Sequence, residues 1–302
     1  MSHDFRRGQA LTRSTVLILG GLALLLVLPS VLRLEPYRVD LGAILQPPSV
    51  AHPLGTDENG RDILARLVVG ARGTLGIGLG ATVVAVTLGT LIGGVAGYRG
   101  GWFDALLMRL TDIALAFPSL FVVLLLAAVI SPGFLSLIAL IGGTGWMTTA
   151  RLVRTRMQEL LTAPYVEAAR SLGAGSGEVI THHLLPSLHG LVGVAGLVQL
   201  SRAILAEATI SFLGFGVQPP TPTWGNLLIG AQNYVFTAPW LALAPGVAIT
   251  GTALALATLT LGGRPRPTSS ALERADGPVD RRWPGPRVPS VAARPCAPHV
   301  TY

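Results

Sequence analysis

Three groups of residues carry side chains that could do chemistry: Asp57, Glu58 and Asp62; His182, His183 and His189; and Arg202 with Glu207 inside an apolar run. The acidic group would suit calcium, but its carboxylates do not alternate as an EF-hand loop requires. A surface helix capped by Asp57 is the better reading. The histidines would suit a metal, yet neighbours on a helix diverge by about 100° and no Cys or carboxylate completes a site. They read as loop structure. Arg202 and Glu207 are separated by a turn of about 140°, so they need not pair with each other. Intramembrane charges face a cavity or a partner, which leaves two readings of Glu207: a pathway-lining or interhelical contact, or a structural hydrogen bond near the external end. The sequence gives no account of Arg202. No triad, nucleotide fingerprint or paired-carboxylate site has a supporting context, so the chain is read as a non-enzyme.

All 22 basic residues are arginine. Without lysine a G-x-x-x-x-G-K-[ST] phosphate loop is impossible, and any ATP that drives this protein is bound by another chain. Half of the 302 residues are hydrophobic and only 12% are charged, a balance that points to a polytopic membrane protein. The net charge of +7 does not indicate nucleic acid, because the arginines fall between apolar runs and in the tail, where cytoplasmic loops meet anionic lipid. Cys296 stands alone and forms no internal disulfide.

The elements that must position these groups are apolar helices, and the expected fold is all-α with six transmembrane spans. Residues 1–13 form a cytoplasmic N-terminus. A first span over 14–34 follows Arg6, Arg7 and Arg13, whose charge keeps that end inside. Residues 35–72 form an external segment whose apolar stripe, Ile63, Leu64, Leu67 and Val68, predicts a short amphipathic helix on the membrane surface. Residues 73–262 hold five more helices. The first of these, 73–98, carries Gly89, Gly93 and Gly97 on one face, a smooth surface for internal packing. The uncharged run 113–150 is too long for one span, and Ser131-Pro132-Gly133 divides it into helices over about 106–130 and 134–152. Two further helices are expected from about Leu188 to Leu213 and from Leu241 to Leu261, with an external loop between them that can dip into the membrane. Six spans leave both termini cytoplasmic.

Arginines 151, 154, 156 and 170 place the loop 151–187 on the cytoplasmic side. Within it Ala163-Pro164 starts a helix, residues 165–172 favour one, Gly173 ends it, and Gly175 and Gly177 permit a reversal. A second helix from Glu178 runs to Pro186, where the chain re-enters the membrane. A short helix held crosswise at the membrane face is something a soluble partner can grip.

The spacing Glu167-Ala168-Ala169, Gly173, His183, Leu185-Pro186 resembles the signature loop of bacterial ABC-importer permeases. His183 stands where the general pattern has isoleucine, as in the peptide and nickel branch. His52-Pro53-Leu54-Gly55-Thr56-Asp57 with Gly60-Arg61-Asp62, and Ala206-Glu207-Ala208 followed by Ser211-Phe212-Leu213-Gly214, Gly216-Val217-Gln218-Pro219-Pro220 and Trp224-Gly225, resemble the C-type permease subunit of dipeptide, oligopeptide and nickel importers. The likeness runs from about residue 14 to 260.

That resemblance implies a subunit of the bacterial cell membrane that pairs with a homologous permease as a heterodimer around a pathway for peptides, or for nickel or another small solute. Two ATP-binding subunits would hold ATP and magnesium, an external substrate-binding protein would deliver cargo, and this chain would hold no cofactor. It also implies that the helix containing Tyr165 docks on an ATPase. Ala168 and Ala169 allow close approach, Glu167 meets a basic or hydrogen-bonding group, and Gly173 permits the turn. An ion-gradient-driven secondary transporter is the rival of another class, but few intramembrane ionisable residues support it. Residues 263–302, rich in Arg and Pro, read as disordered. They lack the family's usual ending and are either a divergent tail or the product of a late frameshift.

Overall fold

The computed structural model describes residues 34–130 and 133–262, with four isolated helical positions at Gly20, Gly21, Leu24 and Val27. The remainder of the predicted first span, residues 1–13, the tail 263–302 and the turn residues Ser131 and Pro132 lie outside the described residues. Every major element is a helix, and the one β-type pairing among the described residues is an isolated bridge between Thr56 and Asp62.

Helix α1 spans Ile63–Arg99 without interruption, so the expected amphipathic surface helix is not a separate element. Its stripe forms the first turns of the long helix. Asp62, rather than Asp57, is the N-cap, accepting from the Ala65 N–H at 2.8 Å. Asp57 instead lies buried, where it accepts from Arg66 at 2.7 Å and from the backbone N–H groups of Asn59 and Arg61. That ion pair gives the buried Arg66 a partner within the first turns of the helix.

The run expected as helices 106–130 and 134–152 is instead four pieces: α2 (Gly101–Ala116), α3 (Ser119–Val129), α4 (Phe134–Gly143) and α5 (Trp146–Leu161). Pro118 lacks an N–H and pushes Phe117 into extended backbone (φ −93°, ψ 131°), which bends α2 and α3 by 78°. The second break follows Gly142 and Gly143, where the Thr144 hydroxyl bonds back to Leu140 O at 2.9 Å and closes the end of α4.

Helix α6 covers Pro164–Ser171 with Pro164 in the first turn. The chain then runs as α7 (Ser176–Glu178), a π-helical segment (Val179–Leu184) and α8 (Leu185–Phe212), which together form one helical rod. Pro186 therefore does not end a helix, contrary to expectation. The wider π turn just before it relieves the ring's conflict with the preceding carbonyls. Helix α9 spans Trp240–Gly262.

Among the described residues three helices are long and apolar enough to cross a membrane, or four if the bent α2–α3 pair is one span. The expected count of six is reached only by adding the first span and the broken α4–α5 pair. Helix α1 is the spine of the bundle. Ala71 and Leu75 pack on Leu200 and Ile204 of α8 and on Ile249 and Leu256 of α9. Ile77 and Ala81 pack on Val123, Leu137 and Ile141. Gly89, Gly93 and Gly97 let α5 approach the backbone of α1: a Cβ at Gly97 would lie 2.8 Å from Arg154 O, and one at Gly89 2.7 Å from Trp146 O.

Candidate functional site

Residues from the quoted motifs gather at opposite ends of this bundle. At one end, residues 52–62 fold against the start of α1 and α9. His52 Nδ1 and Asp62 Oδ2 are 2.8 Å apart, and the Trp240 indole donates to Thr56 O at 3.3 Å. The loop after α8 closes on the same region. Trp224 is buried, its indole N–H donating to Leu67 O at 2.9 Å and its backbone N–H to Thr74 Oγ1 at 2.9 Å.

Glu207 is fully buried here, its Oε1 accepting from Ser211 Oγ at 2.7 Å, with the hydroxyls of Thr74 and Thr223 beside the carboxyl. The Ser211 bond closes within α8, and Glu207 Oε2 is buried with no hydrogen-bond partner among the described residues. This geometry leaves both sequence readings of Glu207 open, a pathway-lining or interhelical contact and a structural hydrogen bond near the external end. Replacing Trp224 with phenylalanine keeps most of the packing and removes one donor. The expected loss is about 1 kcal/mol, seen as a melting temperature lower by about 2–4 °C in the detergent-purified assembly.

At the other end, α6 packs against α5 and the π segment. Val166 is its one buried residue, set among Val153, Met157, Leu160, Val179, Leu184 and Leu188. Burying that side chain contributes about 1.5 kcal/mol, enough to seat a two-turn helix whose other faces stay free. Tyr165, Glu167 and Ala168 are exposed and Ala169 is half-buried. Leu172, just past the helix, is 89% exposed.

Gly173 follows with φ +91°, and a Cβ placed on it would meet no atom within 4 Å. Its conformation, rather than crowding, requires glycine, and it lets the Ala174 N–H bond to Ala169 O at 3.0 Å. His183 is half-buried with its ring 6.2 Å from that of Tyr165, and the Tyr165 hydroxyl lies 3.4 Å from Ser187 Oγ. Leu185 and Pro186 are exposed at the start of α8.

The histidines serve separate local partners. His182 Nδ1 lies 3.0 Å from Thr181 Oγ1, and His189 Nδ1 bonds the Pro186 carbonyl. The residues of the quoted loop motif thus fall in two parts, α6 with Gly173 and the π segment with the first turn of α8. Arg154 ties α5 above them to α2 through a two-pronged bond to Asp104, both distances 2.5 Å.

The family described as binding-protein-dependent transport system inner membrane component matches residues 68–262, which includes the whole of this loop motif. The chain belongs to that family. It is a multi-pass membrane permease of an ABC importer, and its relatives are peptide permeases by name. A putative peptide permease protein of Brucella suis biovar 1 is 36% identical over 257 residues, 84% of this chain and 85% of that protein. A putative peptide transport system permease protein of the same organism is 38% identical over 244 residues, covering 78% and 82%. The dipeptide transport system permease protein of Alkalihalophilus pseudofirmus is 38% identical over 205 residues, covering 68% and 67%.

The sequence reading did not single out Gln199. This permease buries it to 7% exposure on α8, beside a cavity between α2–α3 and α4–α5 that Arg202 also lines. A glutamine three residues before an arginine on one helix face was the available signal.

Proposed function

We propose that this permease forms, with a homologous second subunit, the membrane pathway of a peptide importer, and that α6 with residues 173–186 transmits ATPase movement into the bundle. The observation that carries the coupling role is the mounting of α6. One buried valine seats it in the cluster formed with α5, the π segment and α8, while Glu167, Ala168 and Leu172 are exposed. Two ATP-binding subunits holding ATP and magnesium would grip that face, and both termini would lie on their side, the cytoplasm. The opposite end, with Trp224 and residues 52–62, would receive an external binding protein. Peptide cargo is supported by the names of the relatives.

ATPase closure would push α6 and, through the hydrophobic cluster it shares with α5 and α8, tilt both helices. Cargo passes without covalent change. The test is co-purification of the tagged chain with its operon partners, followed by uptake of labelled dialanine into proteoliposomes. Two ATPase copies per complex and strictly ATP-dependent uptake are expected. A chain that binds no ATPase, or that transports on an ion gradient without ATP, would overturn the proposal.

A further inference from the structure

The bends at Pro118 and at Thr144–Gly145 do more than shorten helices. They open a cavity of about 300 Å3 between α2–α3, α4–α5 and α8, at the lower end of the size range of ligand pockets. Its polar lining is Ser119, Thr144, Thr148, Gln199 and Arg202, and no Asp or Glu lines it. Among the described residues Arg202 has no ion pair, although it sits within the long apolar rod containing α8. Gln199 is more than nine-tenths buried and its side-chain amide makes no hydrogen bond among the described residues. It reaches past Gly145, where any side chain would collide with its Nε2. A buried amide and an exposed arginine of the apolar rod, neither with a partner among the described residues, line one cavity.

The backbone adds to this. The first turns of α3 and α5 both line the cavity, through Ser119 and Leu120 and through Met147 and Thr148, and neither helix has a side-chain cap. Their free N–H groups favour an anion. The carbonyl ends of α2 and α4 lie near the same breaks, but Thr144 occupies those of Leu140 and Ile141. Arg202 therefore supplies the charge and the helix ends supply donors.

We propose that this cavity is a carboxylate-binding station on the transport route. The Arg202 guanidinium would pair with the free C-terminal carboxylate of a passing peptide, and the Gln199 amide would donate to the same group. This rests on the peptide-cargo reading, and it explains how one site serves cargo of any sequence: every unmodified peptide carries that carboxylate, and the planar guanidinium meets it in a two-pronged bond.

The test uses the assembled importer in proteoliposomes with Cys296→Ser and one reporter, Ser119→Cys or, separately, Thr148→Cys. Labelling by a sulfonate methanethiosulfonate is compared with its trimethylammonium analogue, and uptake of dialanine with that of its C-terminal amide at matched binding-protein occupancy. The sulfonate is expected to react about tenfold faster than the cation, and Arg202→Gln should remove that preference. The acid-to-amide uptake ratio should fall by about tenfold in the same variant.

Equal labelling by both reagents, unchanged by Arg202→Gln, would overturn the station and indicate an arginine neutralised by the partner permease. A lost labelling preference with both peptides declining equally would overturn the carboxylate assignment. If the unsubstituted importer carries neither peptide, the peptide reading fails, and the labelling ratio alone then decides whether the cavity selects anions.

Discussion

Replacing Gly173 with valine is expected to lower ATP-driven uptake by about tenfold or more while leaving membrane insertion intact. The residue has φ +91° and nothing lies within 4 Å of where its Cβ would be. The penalty thus comes from backbone conformation, about 1–3 kcal/mol for a β-branched residue held at positive φ, and each 1.4 kcal/mol is roughly tenfold in an equilibrium. Relieving the strain would rotate the chain after α6 and break the Ala174 N–H bond to Ala169 O. The chain leading into α7 would then leave its place beside α6. Gly173→Asn, which tolerates the left-handed region, should retain more uptake than valine. Glu167→Lys should weaken ATPase docking by another route, because it reverses an exposed charge in the first turn of α6 and opposes the helix dipole there. The measurements are uptake, ATPase rate and the ATPase copies retained on purification. Normal values for Gly173→Val and Glu167→Lys alike would remove the lever role from this loop.

Where local rules govern, the sequence is a sound guide. Pro164 in the first turn and Gly173 just past the end bound α6 to within a residue of expectation, because capping and left-handed glycine act over single residues. The last helix is equally plain, an uncharged run whose structure is Trp240–Gly262. Errors arise where tertiary partners override local signals. The stripe Ile63, Leu64, Leu67 and Val68 reads as a separate surface helix, but Arg66 between them pairs with buried Asp57 and α1 runs on. Pro186 reads as the end of a helix, yet the π turn before it carries the helix through. Pro118 is a breaker whose signal is masked by the Ser-Pro-Gly turn further on. The helix and turn of the 164–173 loop are legible from spacing, whereas the Gln199–Arg202 cavity is not, because it exists only where breaks in separate helices meet.

The glycine face of α1 supplies the sharpest contrast between neighbouring positions. A Cβ at Gly93 would run into the backbone of Ala150, which cannot rotate aside as a side chain would. A Cβ at Gly94 would meet only Met157 Cε, at 3.8 Å. Glycine to alanine in a helix interior by itself favours the helix by about 0.5–1 kcal/mol. Gly94→Ala is therefore expected to be neutral or stabilising, whereas Gly93→Ala should destabilise by about 1–3 kcal/mol through overpacking, and Gly93→Val by more. Opening the α1–α5 contact would also pull Arg154 from Asp104, since that bond is made by α5 itself. The damage should reach the α6 loop, lowering coupled uptake along with the melting temperature. If the glycine face instead served the partner permease, Gly93→Ala would dissociate the heterodimer and leave the isolated subunit's melting temperature unchanged. Thermal melts of the single subunit and of the assembly, made on both alanine variants, separate these outcomes: internal packing requires a lower transition in the isolated subunit for Gly93→Ala and none for Gly94→Ala.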